Sequence, residues 1–266
     1  MNSTRFIETV ERAFAALAPT SGVAGVGDAG AEPSLGGKLL YAGELDQTGR
    51  ALVVAANIGG AATLAATGDP VAQRQAVHDG VVDFLVTSLD EALRILKNEI
   101  RKTATVAVCV AASPASIERE MAERGVLPDL IFAGSEGDPR NSLEFGGSSE
   151  SIQVKAASGT DSFLQWHVEE APARWMPKLD AIARGFLSED SWPARWLRLA
   201  ARYCGRTSES TRVLHCDPET ARKIIGGISE AVKRSEIAVP VRMSAVIDGQ
   251  TVIAVASPTA ERPVKD

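Results

Sequence analysis

The chain predicts an α/β fold: a Rossmann-like parallel sheet of about five strands with flanking helices, plus a second, smaller α/β region. Three observations predict it. Between Lys38 and Gly134 five short apolar runs recur, at 38–42, 62–66, 81–86, 105–110 and 129–133. The first four are each followed by a segment with helical spacing, the alternation that βαβ units require. Two of those helices also carry their own start signals. Ser88 with Glu91 three residues later forms a capping box ahead of Leu89, Leu93, Leu96 and Ile100. Ser113-Pro114 places a capping residue before a proline at the first helical position, and Gly125 ends that helix.

The remaining elements follow in order. Phe6, Val10, Ala13, Phe14 and Leu17 recur at helical spacing, so 6–17 predicts an amphipathic helix. Residues 19–37 hold six glycines and two prolines and read as a linker. After Gly134 the chain turns polar and rich in Gly and Ser, with one strand expected at Ser151–Ala156. A region with tryptophans at 166, 175, 192 and 196 then predicts helices at 173–187 and 192–205. A strand at Thr211–Cys216 leads through Asp217-Pro218 into a helix at 218–234, and strands follow near 238–244 and 251–256. The expected organisation is therefore 1–37 as helix and linker, 38–150 as the Rossmann-like domain, and 151–266 as the second region.

Composition narrows the function. A chain of 266 residues with 45% hydrophobic and 23% charged residues is an ordinary globular sequence. Its net charge of −6 argues against nucleic acid or an anionic membrane as partner. No run approaches the roughly 18 apolar residues that span a bilayer. Arg5, Glu8, Glu11 and Arg12 are unlike a signal peptide, so a cytoplasmic protein is expected. Cys109, Cys204 and Cys216 lack metal-site spacing and read as reduced thiols. The histidines, His78, His167 and His215, form no metal-binding cluster, and His215 and Cys216 lie on opposite faces of one strand.

Parallel sheets bind ligands beyond the carboxyl ends of their strands, where helix starts offer unpaired N–H groups. Four segments fall there. The turn after the first strand, Ala42-Gly43-Glu44-Leu45-Asp46-Gln47, contains Gly43 as its one glycine and two carboxylates that would repel a phosphate. Asp69, after the second strand, stands where an acidic residue often holds a ribose hydroxyl, and it is equally a helix-start residue. Ser113 opens the helix after the fourth strand. Gly134, Ser135 and Asp138 follow the fifth strand, where a substrate or nicotinamide ring would lie.

Several segments, taken in order, resemble urocanase, mainly its central NAD-binding domain. Leu35-Gly36-Gly37-Lys38-Leu39-Leu40 is similar to that family's Leu-Lys-Gly-Lys lead into the first strand. Phe84–Leu93 resembles its Asp-Glu-Ala-Leu helix, and Arg124-Gly125-Val126-Leu127-Pro128-Asp129 its Arg-Gly-Val-Arg-Pro-Asp strand entry. Gly137-Asp138-Pro139-Arg140-Asn141 is similar to the Ala-His-Asp-Pro-Leu-Asn loop. Further on, Arg195–Ala200 and Ser229–Val241 look like the segments where the urocanase chain returns to its core. The resemblance spans about residues 6–245. It implies a Rossmann fold, NAD as an electrophile that captures the substrate imidazole, and a lyase of histidine catabolism.

The departures bear on chemistry. Urocanase carries Gly-Leu-Gly-Gly-Met after its first strand, and this chain has Gly43-Glu44-Leu45-Asp46-Gln47. The family's Gln-Thr-Ser loop is replaced by Ala133-Gly134-Ser135-Glu136. Its catalytic cysteine falls on Leu214, with Cys216 two positions later. The expectation is a urocanase-like protein without ordinary hydratase activity, for which retention of NAD is disfavoured by the missing glycine turn. Its ligand would be a small anion or nucleotide at the carboxyl ends of the sheet. The alternatives are an active divergent NAD-dependent hydratase and a non-catalytic interaction module, in which the tryptophan-rich region would form a homodimer or partner surface.

Overall fold

The computed structural model describes residues 3–18, 34–133, 150–153, 162–247 and 249–258. The chain divides into two compact units, Met1–Ala156 with Arg202–Gly205, and Ala157–Ala201 with Arg206–Asp266. No helix among the described residues is long and apolar enough to cross a membrane.

The first unit opens with α1 (Ser3–Ala16) and continues β1 (Leu39–Glu44), α2 (Gln47–Gly59), β2 (Ala62–Ala66), α3 (Pro70–His78), β3 (Phe84–Val86), α4 (Leu89–Arg101), β4 (Ala107–Val110), α5 (Pro114–Glu123), β5 (Leu130–Ala133) and β6 (Glu150–Gln153). The strands form a parallel sheet in the order β3-β4-β2-β1-β5-β6. The expected five-stranded parallel sheet is present. The strand expected at Ser151–Ala156 is β6, which pairs with β5 and extends the sheet to six.

Alternation along the strands builds two apolar layers. Leu39, Tyr41, Leu64, Ala66, Val108 and Val110 share one core with Leu89, Leu93 and Leu96 of α4 and Ile117 and Met121 of α5. On the opposite face α2 covers β1 and β2, and α1 packs on α2. Because both faces are covered, β1, β2 and β4 are buried almost throughout, as parallel strands usually are. Two aspartates tie the amino ends of the strands together. Asp129 accepts the Leu39 N–H at 2.7 Å, and Asp83 accepts the Ala107 N–H at 2.7 Å. The Pro128-Asp129 motif thus has a structural use here, satisfying a strand-end donor that would otherwise be buried without a partner.

The second unit contains β7 (Ser162–His167), α6 (Pro172–Arg184), α7 (Trp192–Cys204) as far as Ala201, β8 (Thr211–Cys216), α8 (Pro218–Lys233), β9 (Val241–Ile247) and β10 (Gln250–Ala256). Its sheet is antiparallel, in the order β10-β9-β7-β8. Helix α8 lies across β7, β9 and β10, and α6 packs on α8. Trp166 and Trp196 are fully buried, and Trp175 and Trp192 nearly so. The tryptophans therefore fill the core of this unit, and a partner surface would have to be built from other residues. The central strand β7 was not expected from the sequence, although Leu164, Trp166 and Val168 alternate with Phe163, Gln165 and His167 as a half-buried strand requires.

Candidate site at the carboxyl edge of the parallel sheet

The strand order places the turns after β1, β2 and β4 side by side. Each begins a helix, and each helix start is capped from within the chain. Asp46 Oδ1 accepts the Gly49 N–H at 2.8 Å, Asp69 Oδ1 accepts the Val71 N–H at 2.8 Å, and Ser113 Oγ accepts the Ser116 N–H at 3.3 Å. Pro70 and Pro114, in the first helical turn, remove a further donor from α3 and α5. A helix start attracts anions through unpaired N–H groups and its positive dipole end. At α2 and α3 a carboxylate of the chain itself takes one of these N–H groups and sets its negative charge at the dipole end.

The turn after β1 is tighter than its sequence suggests. Gly43 and Glu44, expected in the turn, belong to the strand. Tyr41 pairs with Leu64 and Gly43 with Ala65, so Ala42 is an extra residue that bulges the strand. Gly43 takes φ +70°, a value that a side chain would make costly. The bulge turns the end of β1 into the first turn of α2 at very close range. A Cβ on Gly49 would lie 1.9 Å from the Glu44 carbonyl oxygen, so this position accepts glycine only. Close helix–strand contact is one of the uses of glycine in dinucleotide-binding turns. Gly49 escaped the sequence reading because its spacing from Gly43 matches no glycine-rich fingerprint.

The charge at this turn is negative. Asp46 is exposed and Glu44 half-buried. The cation of the same helix turn, Arg50, is engaged by Asp79 beyond the end of α3. Burial works against ionisation of Asp79, yet hydrogen bonds from Gln75, His78 and Arg50 hold its carboxyl below the ordinary range. Arg50 is thereby committed to structure.

Beneath the edge lies a hydrogen-bonded pair that the sequence did not reveal. The Tyr41 hydroxyl donates to Glu118 Oε1 at 2.9 Å, joining β1 to α5 across 77 positions of chain. Burial raises the Tyr41 phenol far above its usual range, and Glu118 and Glu44 add to the shift. Burial likewise raises the Glu118 carboxyl, although the Tyr41 hydrogen bond pulls it back. Burial pushes the Cys109 thiol up to about 11, with the Thr67 N–H opposing and Glu44 reinforcing the shift. Cys109 is therefore a protonated, inert thiol near neutral pH. The available signal was one hydroxyl-bearing side chain inside an otherwise aliphatic strand, which must find a partner when buried.

Of the residues expected to form a ligand site, Gly43 shapes the strand, and Asp69 and Ser113 cap their helices. The last two belong to neighbouring turns: a Cβ on Gly68, beside Asp69, would lie 3.8 Å from the Ser113 nitrogen. Gly134, Ser135 and Asp138 lie outside the described residues. Among the described residues no cluster of three or more His, Cys, Asp or Glu could hold a metal ion. His167 Nδ1 is hydrogen-bonded to Thr211 Oγ1 at 2.9 Å. Leu214, where the family resemblance expects a reactive cysteine, is fully buried in β8, and Cys216 is buried at the end of the same strand.

A parallel sheet with helices on both faces and its loops gathered at the carboxyl edge defines an α/β protein of Rossmann-like type. Within that class the relationship is more specific. The family model for the urocanase Rossmann-like domain matches residues 20–135. The match runs from before β1 to the end of β5, and over that stretch the chain resembles the NAD-binding domain of urocanase.

Proposed function

We propose that this protein keeps a urocanase-like Rossmann domain as a binding scaffold and lacks ordinary urocanate hydratase activity. The observation that carries this reading is the hydrogen bond from the Gly49 N–H to Asp46, which fills the place where a diphosphate would meet the start of α2. NAD fits this turn poorly. Its diphosphate would forgo a charge-assisted hydrogen bond worth about 1.5–3 kcal/mol. It would also face repulsion from Asp46 and Glu44 of about 1–4 kcal/mol per close pair of charges. Even the lower ends of these ranges, about 1.5 kcal/mol for the bond and about 1 kcal/mol for each carboxylate, lower affinity by more than about two powers of ten.

In this reading the ligand is a small anion or a nucleotide fragment at the carboxyl ends of the strands. Asp69, Ser113, Gly134, Ser135 and Asp138 are the candidate contacts. The setting is cytoplasmic. A second reading, an active NAD-dependent lyase acting on urocanate or a related imidazole acid in histidine catabolism, is favoured by Gly49, whose close packing suits a dinucleotide turn.

The two readings separate in one assay. Purified protein with NAD and urocanate is followed by the ultraviolet absorbance of urocanate, alongside a calorimetric titration of NAD. The expected result is no turnover and weak binding, with Asp46→Ser binding NAD more tightly than the wild type. Turnover by the wild type establishes the second reading and overturns the first.

A further inference from the structure

The second unit ends its sheet on β10, whose outer edge pairs with no strand among the described residues. Among the described residues β10 is bonded to β9 alone. Gln250–Ala256 contains no charged residue and no proline, and Pro258 marks its end. Edge strands in monomeric proteins are usually protected by lysine, proline, a bulge or a covering loop. Here the edge is regular, since all seven residues of β10 pair in register with β9. It also carries large exposed apolar side chains. Ile253 is 74% exposed and Val255 60%, on the sheet face that also carries Arg242, Ser244 and Val246 of β9.

Backbone geometry shows which groups this edge offers. Ile247 pairs with Gln250, so β9 and β10 are joined by a two-residue turn in which Gly249 takes φ +75°. The residues closing such a turn exchange hydrogen bonds, and the pattern then alternates along the strand. Gln250, Val252, Ala254 and Ala256 therefore direct their N–H and C=O groups at β9. Thr251, Ile253 and Val255 direct theirs outward.

We propose that β10 pairs antiparallel with β10 of a second copy of this chain, with the two-fold axis at Ile253, so that two sheets join into one. Self-pairing in this register places Ile253 against Ile253 and Thr251 against Val255, and every outward N–H and C=O of both strands finds a partner. Side chains fit by size, since Val252 meets Ala254 and Gln250 meets Ala256. The strand has no charge with which to repel its own copy, and strand addition at an open edge is an established mode of recognition. Ile253 of each copy then lies directly beside the other and Val255 beside Thr251, cross-strand contacts that cover their facing flanks. This inference rests on the second unit alone and stands whether or not the ligand reading holds.

The test uses the full chain. Sedimentation or light scattering over a concentration series is expected to show a reversible dimer. Ile253→Lys brings two ammonium groups together at the axis and should raise the dissociation constant at least about a hundredfold, since like charges brought together cost several kcal/mol. Val71→Lys, at an exposed position on α3, should leave the dimer unchanged. Mild oxidation of Ile253→Cys should trap a covalent dimer, whereas Gln250→Cys, which meets Ala256 in this register, should not. Circular dichroism checks that each variant is folded, and the cysteine trap tests the register even if the lysine variant fails to fold. A wild type that stays monomeric throughout overturns the proposal. So does a dimer that survives folded Ile253→Lys, or trapping through Gln250→Cys in preference to Ile253→Cys.

Discussion

At the scale of single residues, the position that matters most is Gly49. Its hydrogen is the only substituent that fits under the Glu44 carbonyl, and the turn it permits brings Asp46 within reach of its N–H. Gly49→Ala therefore has no relaxed solution, because the obstacle is backbone and not the end of a movable side chain. A loss of about 3 kcal/mol, at the upper end for overpacking, is expected on urea denaturation. Asp46→Ala should cost only about 1 kcal/mol, the usual value of a helix cap, since it removes a bond without forcing a clash. A smaller loss for Gly49→Ala than for Asp46→Ala would contradict this account of the turn. The sequence pointed to the carboxylates at this turn. One of them, Asp46, takes the Gly49 N–H, while the clash that reserves position 49 for glycine is visible only in the structure.

Among the elements, helices with explicit start signals were the most legible. Ser88, Ser113 and Asp217 cap α4, α5 and α8 as their sequences suggest, because capping is a contact between near neighbours in the chain. Long-range pairings stayed hidden, and the pair joining α6 to β8 is the clearest case. Arg212 is buried, and its Nε and Nη2 meet Asp180 Oδ2 at 3.0 and 2.9 Å, while the Trp166 indole lies beside the same carboxyl. Burial pushes the Asp180 carboxyl up to about 6, against the pull of Arg212 and Trp166. A carboxyl that binds its proton more tightly in the folded state adds stability at low pH and loses it as pH rises through the folded value. This group should therefore destabilise the protein progressively between about pH 4 and 6, by up to roughly 3 kcal/mol. Asp180→Asn keeps an acceptor for Arg212 and removes the titration. The stability of wild type relative to Asp180→Asn should fall across that window, and a flat difference would show that Asp180 does not titrate there.

For the whole molecule, the first unit was legible and the second only in part. Alternating strands and helices put their pattern into consecutive residues, and the urocanase-like match covers that portion of the chain. In the antiparallel sheet β7 pairs with β8 and β9 across long stretches of sequence, so its place could not be read locally. The candidate site was legible as a location, the carboxyl edge, and in its local caps, whereas the bond from Tyr41 to Glu118 stayed hidden because it joins residues far apart in the chain. A thermal-shift series tests the molecule as a unit. A ligand present at about 100 times its dissociation constant adds roughly 2.7 kcal/mol of stability. Small anions or nucleotide fragments should raise the melting temperature, and intact NAD at the same concentration should raise it less. A larger shift with NAD would count against the proposed role of Asp46.

The bond from Gly49 to Asp46 also bears on how the domain matures. Where a coenzyme completes a helix start, the newly made polypeptide must wait for it before that corner is satisfied. Here the chain supplies its own counter-anion in Asp46, so the first crossover is expected to refold at the same rate with or without added NAD, which stopped-flow refolding of the purified chain would check.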